Sequence, residues 1–131
     1  MGLIYLDSCL VIYAVEDDSE RGDRIRQKIA DGGSDTGVVS PLVTMECLVG
    51  PLKVDDFVLH DQYIRALELF KKAPLGEDQF VRAATIRARY GVKAMDALHL
   101  AAAQMFGCSA LWTGDARLAA AAPGFAVNVL A

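Results

Sequence analysis

Short, uniformly apolar runs recur along this chain, each followed by a turn or a helix-start signal. LIYL lies at 3–6, GVV at 37–39, ALW at 110–112 and a last run at 125–130, with a minimal candidate, APL, at 73–75. Such runs are too short for helices and suit strands buried on both faces. The segments between them have helical spacing. CLVIYAVE follows the capping pair Asp7-Ser8, and residues 20–30 place Ile25 and Ile29 four apart before DGGSD at 31–35 breaks the pattern. Ser40-Pro41 reads as a capping serine with proline at the first helical position, opening a helix that Gly50-Pro51 should stop. Helices are also expected over 55–72, from Glu77 to Tyr90 with Gly91 as the stop, over 94–106, and over ARLAAAA from 116. On the helix at 94–106, Met95, Leu98, Ala102 and Met105 form the expected core stripe. Strand and helix alternate throughout. That order predicts an α/β fold, with a mostly parallel sheet of about five short strands covered by helices on both faces.

The chain has 131 residues, the size of one domain (1–131), and 53% of them are hydrophobic. A core of that size needs no disulfides. Cys9, Cys47 and Cys108 are an odd number with no CxxC pair, so they read as small buried hydrophobes. The apolar N-terminus lacks a basic region and is interrupted by Asp7, which argues against a signal peptide or membrane span and for a cytoplasmic protein. The formal net charge of -4 excludes a simple basic nucleic-acid coat. Any contact with RNA must come from a local patch.

Two acids stand where a strand ends and a helix begins, Asp7 after LIYL and Asp115 after ALWTG. In open α/β sheets that edge forms the ligand crevice. Glu46 and Asp96 fall early in helices able to enter from the same edge. Two carboxylates about 4 Å apart repel by about 4 kcal/mol at an effective dielectric near 20. Protonation, a basic partner or a divalent cation must offset this, and all-oxygen ligation suits Mg²⁺ or Mn²⁺. Such a site hydrolyses phosphodiesters without a protein nucleophile. The chain has no GxSxG and no Walker A motif, and neither His60 nor His99 has a second His or Cys at metal-ligand spacing.

Taken singly, each acid also has a plain structural role. Asp7 and Asp115 are cap residues, Asp96 suits a helix dipole, and Glu46 suits a solvated surface. Ser8 serves equally to cap, to support Asp7 or to meet a phosphate. His99 lies on the apolar side of its helix and reads as a core or supporting residue. Only the joint placement of the four acids points to chemistry.

Four blocks in order, IYLDSCLVIY, VVSPLVTMECLVGPLK, YGVKAMDALHLAAA and LWTGDARL, cover essentially the whole chain. Together they resemble the PIN domains, and among them the VapC-type toxins of bacterial toxin–antitoxin pairs. The resemblance implies a Rossmann-like α/β fold and a metal-dependent endoribonuclease with Mg²⁺ or Mn²⁺ held by Asp7, Glu46, Asp96 and Asp115. It further implies a homodimer and a cognate VapB-like antitoxin that blocks the site in a toxin–antitoxin hetero-oligomer. Where the family often has Thr-Asn-Asp, this chain has Thr113-Gly114-Asp115, followed by Ala116, Arg117 and Leu118 instead of further acids. Thr113 remains placed to support the site. These departures leave one well-held ion, with a second recruited, if at all, together with substrate.

Arg87 and Lys93, just before the Asp96 block, are candidate RNA contacts, as are Arg21, Arg24 and Lys28; ordinary helix-surface charge is the plainer reading of each. Two other enzyme classes fit poorly. A haloacid-dehalogenase-type phosphatase needs a second Asp where Cys9 stands, and a response-regulator receiver needs paired acids and a late lysine. A non-catalytic binding module is the competing reading from another class: a PIN-fold partner acting with its antitoxin on operator DNA.

Overall fold

The computed structural model describes residues 2–32 and 36–130. Five parallel strands form one sheet in the order β3-β2-β1-β4-β5, with helices on both faces. The strands are β1 (Ile4–Leu6), β2 (Gly37–Val39), β3 (Lys71–Lys72), β4 (Ala110–Thr113) and β5 (Ala126–Asn128). Tyr5, Val38, Val39 and Leu111 are wholly buried, as the apolar runs require of central strands. The helices are α1 (Ser8–Glu16), α2 (Glu20–Gly32), α3 (Pro41–Lys53), α4 (Phe57–Leu67), α5 (Glu77–Tyr90), α6 (Ala94–Met105) and α7 (Ala116–Ala121). Gly91 takes φ 65° and ends α5 in a left-handed cap that only glycine adopts without cost. Cys47 and Cys108 are buried, whereas Cys9 is only partly covered.

The chain order places β1 between β2 and β4, so the sheet winds outward in opposite directions from β1. The switch point therefore lies between β1 and β4, and a crevice opens there at their carboxyl ends. Asp7 directly follows β1, and Asp115 follows β4 by two residues.

Several local expectations are corrected. Gly50-Pro51 does not stop α3, which runs on to Lys53 with Pro51 buried inside it. Pro51 forgoes its own N–H bond and crowds the carbonyl four residues back, a cost set against the burial of its ring, and Asp56 and Val54 donate to the Pro51 carbonyl. The expected helix over 55–72 ends at Leu67, and the third strand is Lys71–Lys72 instead of 73–75. Two exposed lysines suit that edge position, and only Ala73 of the expected run adds a bond, from its N–H to the Val39 carbonyl (2.8 Å). The final strand is shorter than expected, at Ala126–Asn128. The α6 stripe is also displaced. Met95 and Met105 are exposed, while Ala97 and the run from His99 to Ala103 are buried. Small side chains there let α6 sink against α5, α3 and β4, so the middle of the helix is covered around most of its circumference. Of the expected break after α2, Gly33, Ser34 and Asp35 lie outside the described residues.

Candidate metal-binding active site

Asp7 is buried at the end of β1, and its two oxygens are held from different elements. Oδ1 accepts from the Ser8 N–H (2.8 Å). Oδ2 accepts from the Thr113 hydroxyl at 2.6 Å, and Cys9 Sγ lies 3.5 Å away. Thr113 is fully buried, and its Oγ1 also accepts from the Asp115 N–H at 2.9 Å. One hydroxyl thus ties the carboxyl ends of β1 and β4 together.

Glu46 reaches the same place from the second turn of α3. Its Oε1 lies 2.7 Å from His99 Nε2, which is also 3.6 Å from Asp7 Oδ1. Half-burial alone would raise the Glu46 carboxyl, but the hydrogen bond and charge of His99 outweigh it and hold the group below its ordinary value. His99, on α6, is buried, and its Nδ1 lies 2.8 Å from the hydroxyl of buried Tyr5. Asp7, Glu46 and His99 can each turn one ligand atom to a common point, with all three atoms within 4.8 Å of one another.

Asp96 and Asp115 fall outside that tight trio but line the same cleft, of about 470 Å³, with Ser8, Cys9 and Tyr13. Asp96 sits in the first turn of α6, and its carboxyl is raised by burial and by the negative charges of Asp115 and Asp7. Asp115 caps α7 by accepting from the Arg117 N–H (2.8 Å), so it fills its structural role while its side chain still borders the cleft. A second groove of about 300 Å³ between α1, α2 and the segment after α4 is almost wholly apolar. Val11, Val15, Ile29 and Phe70 line it, and its single charged side chain, Arg26, is spent on the Ala14 and Asp17 carbonyls. The chemistry therefore lies in the carboxylate cleft.

Its donor set fits a hard divalent cation. The cleft gathers four carboxylates, and the Asp96 carboxyl is raised by its neighbours' charge, as expected of a site with cation-sized negative surplus.

The altered turn has a steric reason. A Cβ at Gly114 would lie 2.5 Å from Leu130 Cδ1 and 3.5 Å from Cys9 Sγ. The Gly114 N–H donates to that sulfur at 3.3 Å. Burial and the Asp7 charge push the Cys9 thiol up to about 12, so the sulfur stays protonated and can donate towards Asp7.

The basic candidates do not line the cleft. Arg87 donates to the Val92 carbonyl (3.2 Å), and Lys93 is exposed at the N-cap of α6. Arg21 pairs with Asp17 at 2.7 Å and lies over the ring of Tyr13, a cleft residue. Arg24 and Lys28 border a separate cavity beside Val129 and Leu130, with Lys28 over the Trp112 ring. Sequence reasoning missed Tyr5 and the direct contact of His99 with Glu46. A tyrosine within a buried strand was the available signal, since its hydroxyl needs a partner.

Fold and cleft define a class: an α/β domain whose strand ends open on a cluster of carboxylates. The chain belongs to the PIN domain family, whose profile matches residues 4–123. No curated protein matches the sequence. Among solved structures the chain is similar to FitAcB from Neisseria gonorrhoeae, with TM-score 0.82, 19% identity, and 96% and 97% of the two chains covered. A toxin-antitoxin complex from Klebsiella pneumoniae gives TM-score 0.76 at 24% identity, covering 95% of each chain. VapC20 of Mycobacterium tuberculosis, described as a Sarcin-Ricin loop cleaving toxin, gives 0.74 at 16%, covering 96% and 98%. At these identities the likeness is one of fold. Among the described residues no helix is long and apolar enough to cross a membrane.

Proposed function

We propose that this chain, acting as one PIN unit over residues 1–131, is the metal-dependent endoribonuclease toxin of a VapBC-like pair. The observation that carries the reading is the meeting of four carboxylates from four segments at the sheet's switch point. Asp7, Glu46, Asp96 and Asp115 would hold Mg²⁺ or Mn²⁺. When bound, the ion polarises a phosphoryl oxygen and activates water. Asp7 is oriented for this by Thr113 and the Ser8 N–H, and Glu46 by His99. Asp96 has no hydrogen-bond partner among the described residues and is free to turn to a cation. The fold likeness to a toxin-antitoxin complex supports a VapB-like antitoxin as partner; the toxin would be a homodimer, as the PIN resemblance implies, acting in the cytoplasm. Arg87 and Lys93 stand outside the cleft, where they would meet flanking RNA phosphates; affinity resting on such contacts falls with salt.

The test is cleavage of RNA by the purified chain. Activity is expected with Mg²⁺ or Mn²⁺, is lost with EDTA, and falls roughly a thousandfold in Asp7→Asn and Asp96→Asn, since several kcal/mol of charge stabilisation go at about 1.4 kcal/mol per tenfold. Parent-rate cleavage by both variants would overturn the carboxylate mechanism. No cleavage by the parent, together with operator DNA binding by its antitoxin complex, would instead establish the non-catalytic module.

A further inference from the structure

We propose that His99 is a positioning residue that clamps Glu46 through an Nε2–H donor, with Tyr5 and Ser40 holding the other side of the ring. The proposal rests on Glu46 being a cation ligand, as argued above. His99, Tyr5 and Ser40 are all buried, so each polar atom must find its partner within the protein. They form one chain. Ser40 Oγ lies 2.7 Å from the Tyr5 hydroxyl, that hydroxyl lies 2.8 Å from His99 Nδ1, and His99 Nε2 lies 2.7 Å from Glu46 Oε1.

An ionised carboxylate only accepts, so Nε2 must carry the proton at the Glu46 end. The Tyr5 hydroxyl can donate to a bare Nδ1 or accept from a protonated one, so the same contact serves the neutral ring and the imidazolium. The Tyr5 and Ser40 hydroxyls then pair, either one able to donate. Every proton in the chain has a place. The opposite tautomer would set an Nε2 lone pair against the carboxylate at 2.7 Å, which repels. With Nε2 protonated, His99 has no lone pair for a cation, although its position beside Asp7 and Glu46 invites a ligand role. It holds one Glu46 oxygen and leaves the other for the ion, as residues behind a ligand commonly do. Ser40 supplies no side-chain bond to the start of α3, which leaves its hydroxyl for this task.

Two measurements test the clamp, and neither needs RNA cleavage. In metal-free, ¹⁵N-labelled protein, long-range ¹H–¹⁵N spectra should show a proton on His99 Nε2. Mn²⁺ titration calorimetry should show His99→Gln, whose amide can still donate to Glu46, within about threefold of the parent, and His99→Leu weaker by roughly 10- to 100-fold. Equal losses in Gln and Leu would make His99 a ligand and overturn the proposal. An Nδ1–H tautomer in the parent would do so without any variant, whether or not the protein cuts RNA.

Discussion

The two halves of the carboxylate cleft are built differently. On the β1–α3 side, Asp7 and Glu46 are gripped by buried donors from four elements: the Ser8 amide on α1, Thr113 on β4, His99 on α6, and Tyr5 of β1 behind it. On the other side Asp96 has burial and like charge around it, and Asp115 spends one oxygen capping α7. The first half is rigid before any ion arrives. The second half carries like-charge repulsion that Arg117, 3.8 Å from Asp115, relieves only in part and that a cation removes. A cation site assembled this way has its geometry set by one pair of acids and much of its affinity by the other.

Breaking each half separately should give distinct results. The largest effect expected is on heat stability. Mn²⁺ at about 100 times its Kd contributes about 2.7 kcal/mol and should raise the melting temperature of the parent by roughly 10 °C. That rise should vanish in Asp7→Asn and shrink in Asp96→Asn; equal rises in parent and both variants would place the ion elsewhere. Next is Thr113→Val, which removes the hydroxyl shared by Asp7 and Asp115. Calorimetry should show Mn²⁺ binding weakened by roughly 10- to 100-fold with the fold intact. Unchanged affinity would mean that the rigid half does not depend on that bond. The smallest effect distinguishes the halves by sign. In metal-free protein at neutral pH, Asp96→Asn relieves repulsion and should melt a few degrees higher, while Asp7→Asn weakens hydrogen bonds worth about 1 kcal/mol each and should melt lower. Shifts of the same sign would dissolve the contrast between the halves.

The sheet and the four acids were legible in the sequence because both follow from short-range pattern. Buried parallel strands must be uniformly apolar, and a crevice at their ends draws on the residues that come next. What stayed hidden depends on contacts between distant segments. Ser40 has the identity of a cap, but its hydroxyl turns to Tyr5, thirty-five residues earlier. Proline at 51 reads as a stop, yet the helix runs two residues past it with the ring buried. Met95 and Met105 look like core by spacing alone. The buried side of α6 is instead set by the small residues around Ala101, a choice that only close approach by α5 and β4 can make. The glycine at 114 looks like a lost asparagine. It is the residue that leaves room for the Leu130 side chain.

That last contact also bears on how the protein can be handled. The Val129 N–H donates to the Thr113 carbonyl at 3.0 Å, and Leu130 rests against Gly114. The final residues of the chain thus brace the turn that carries Thr113 and Asp115. A bulky label or substitution at Leu130 would pull on that brace and report a weakened site, whereas labels on exposed positions of α5 would leave it untouched.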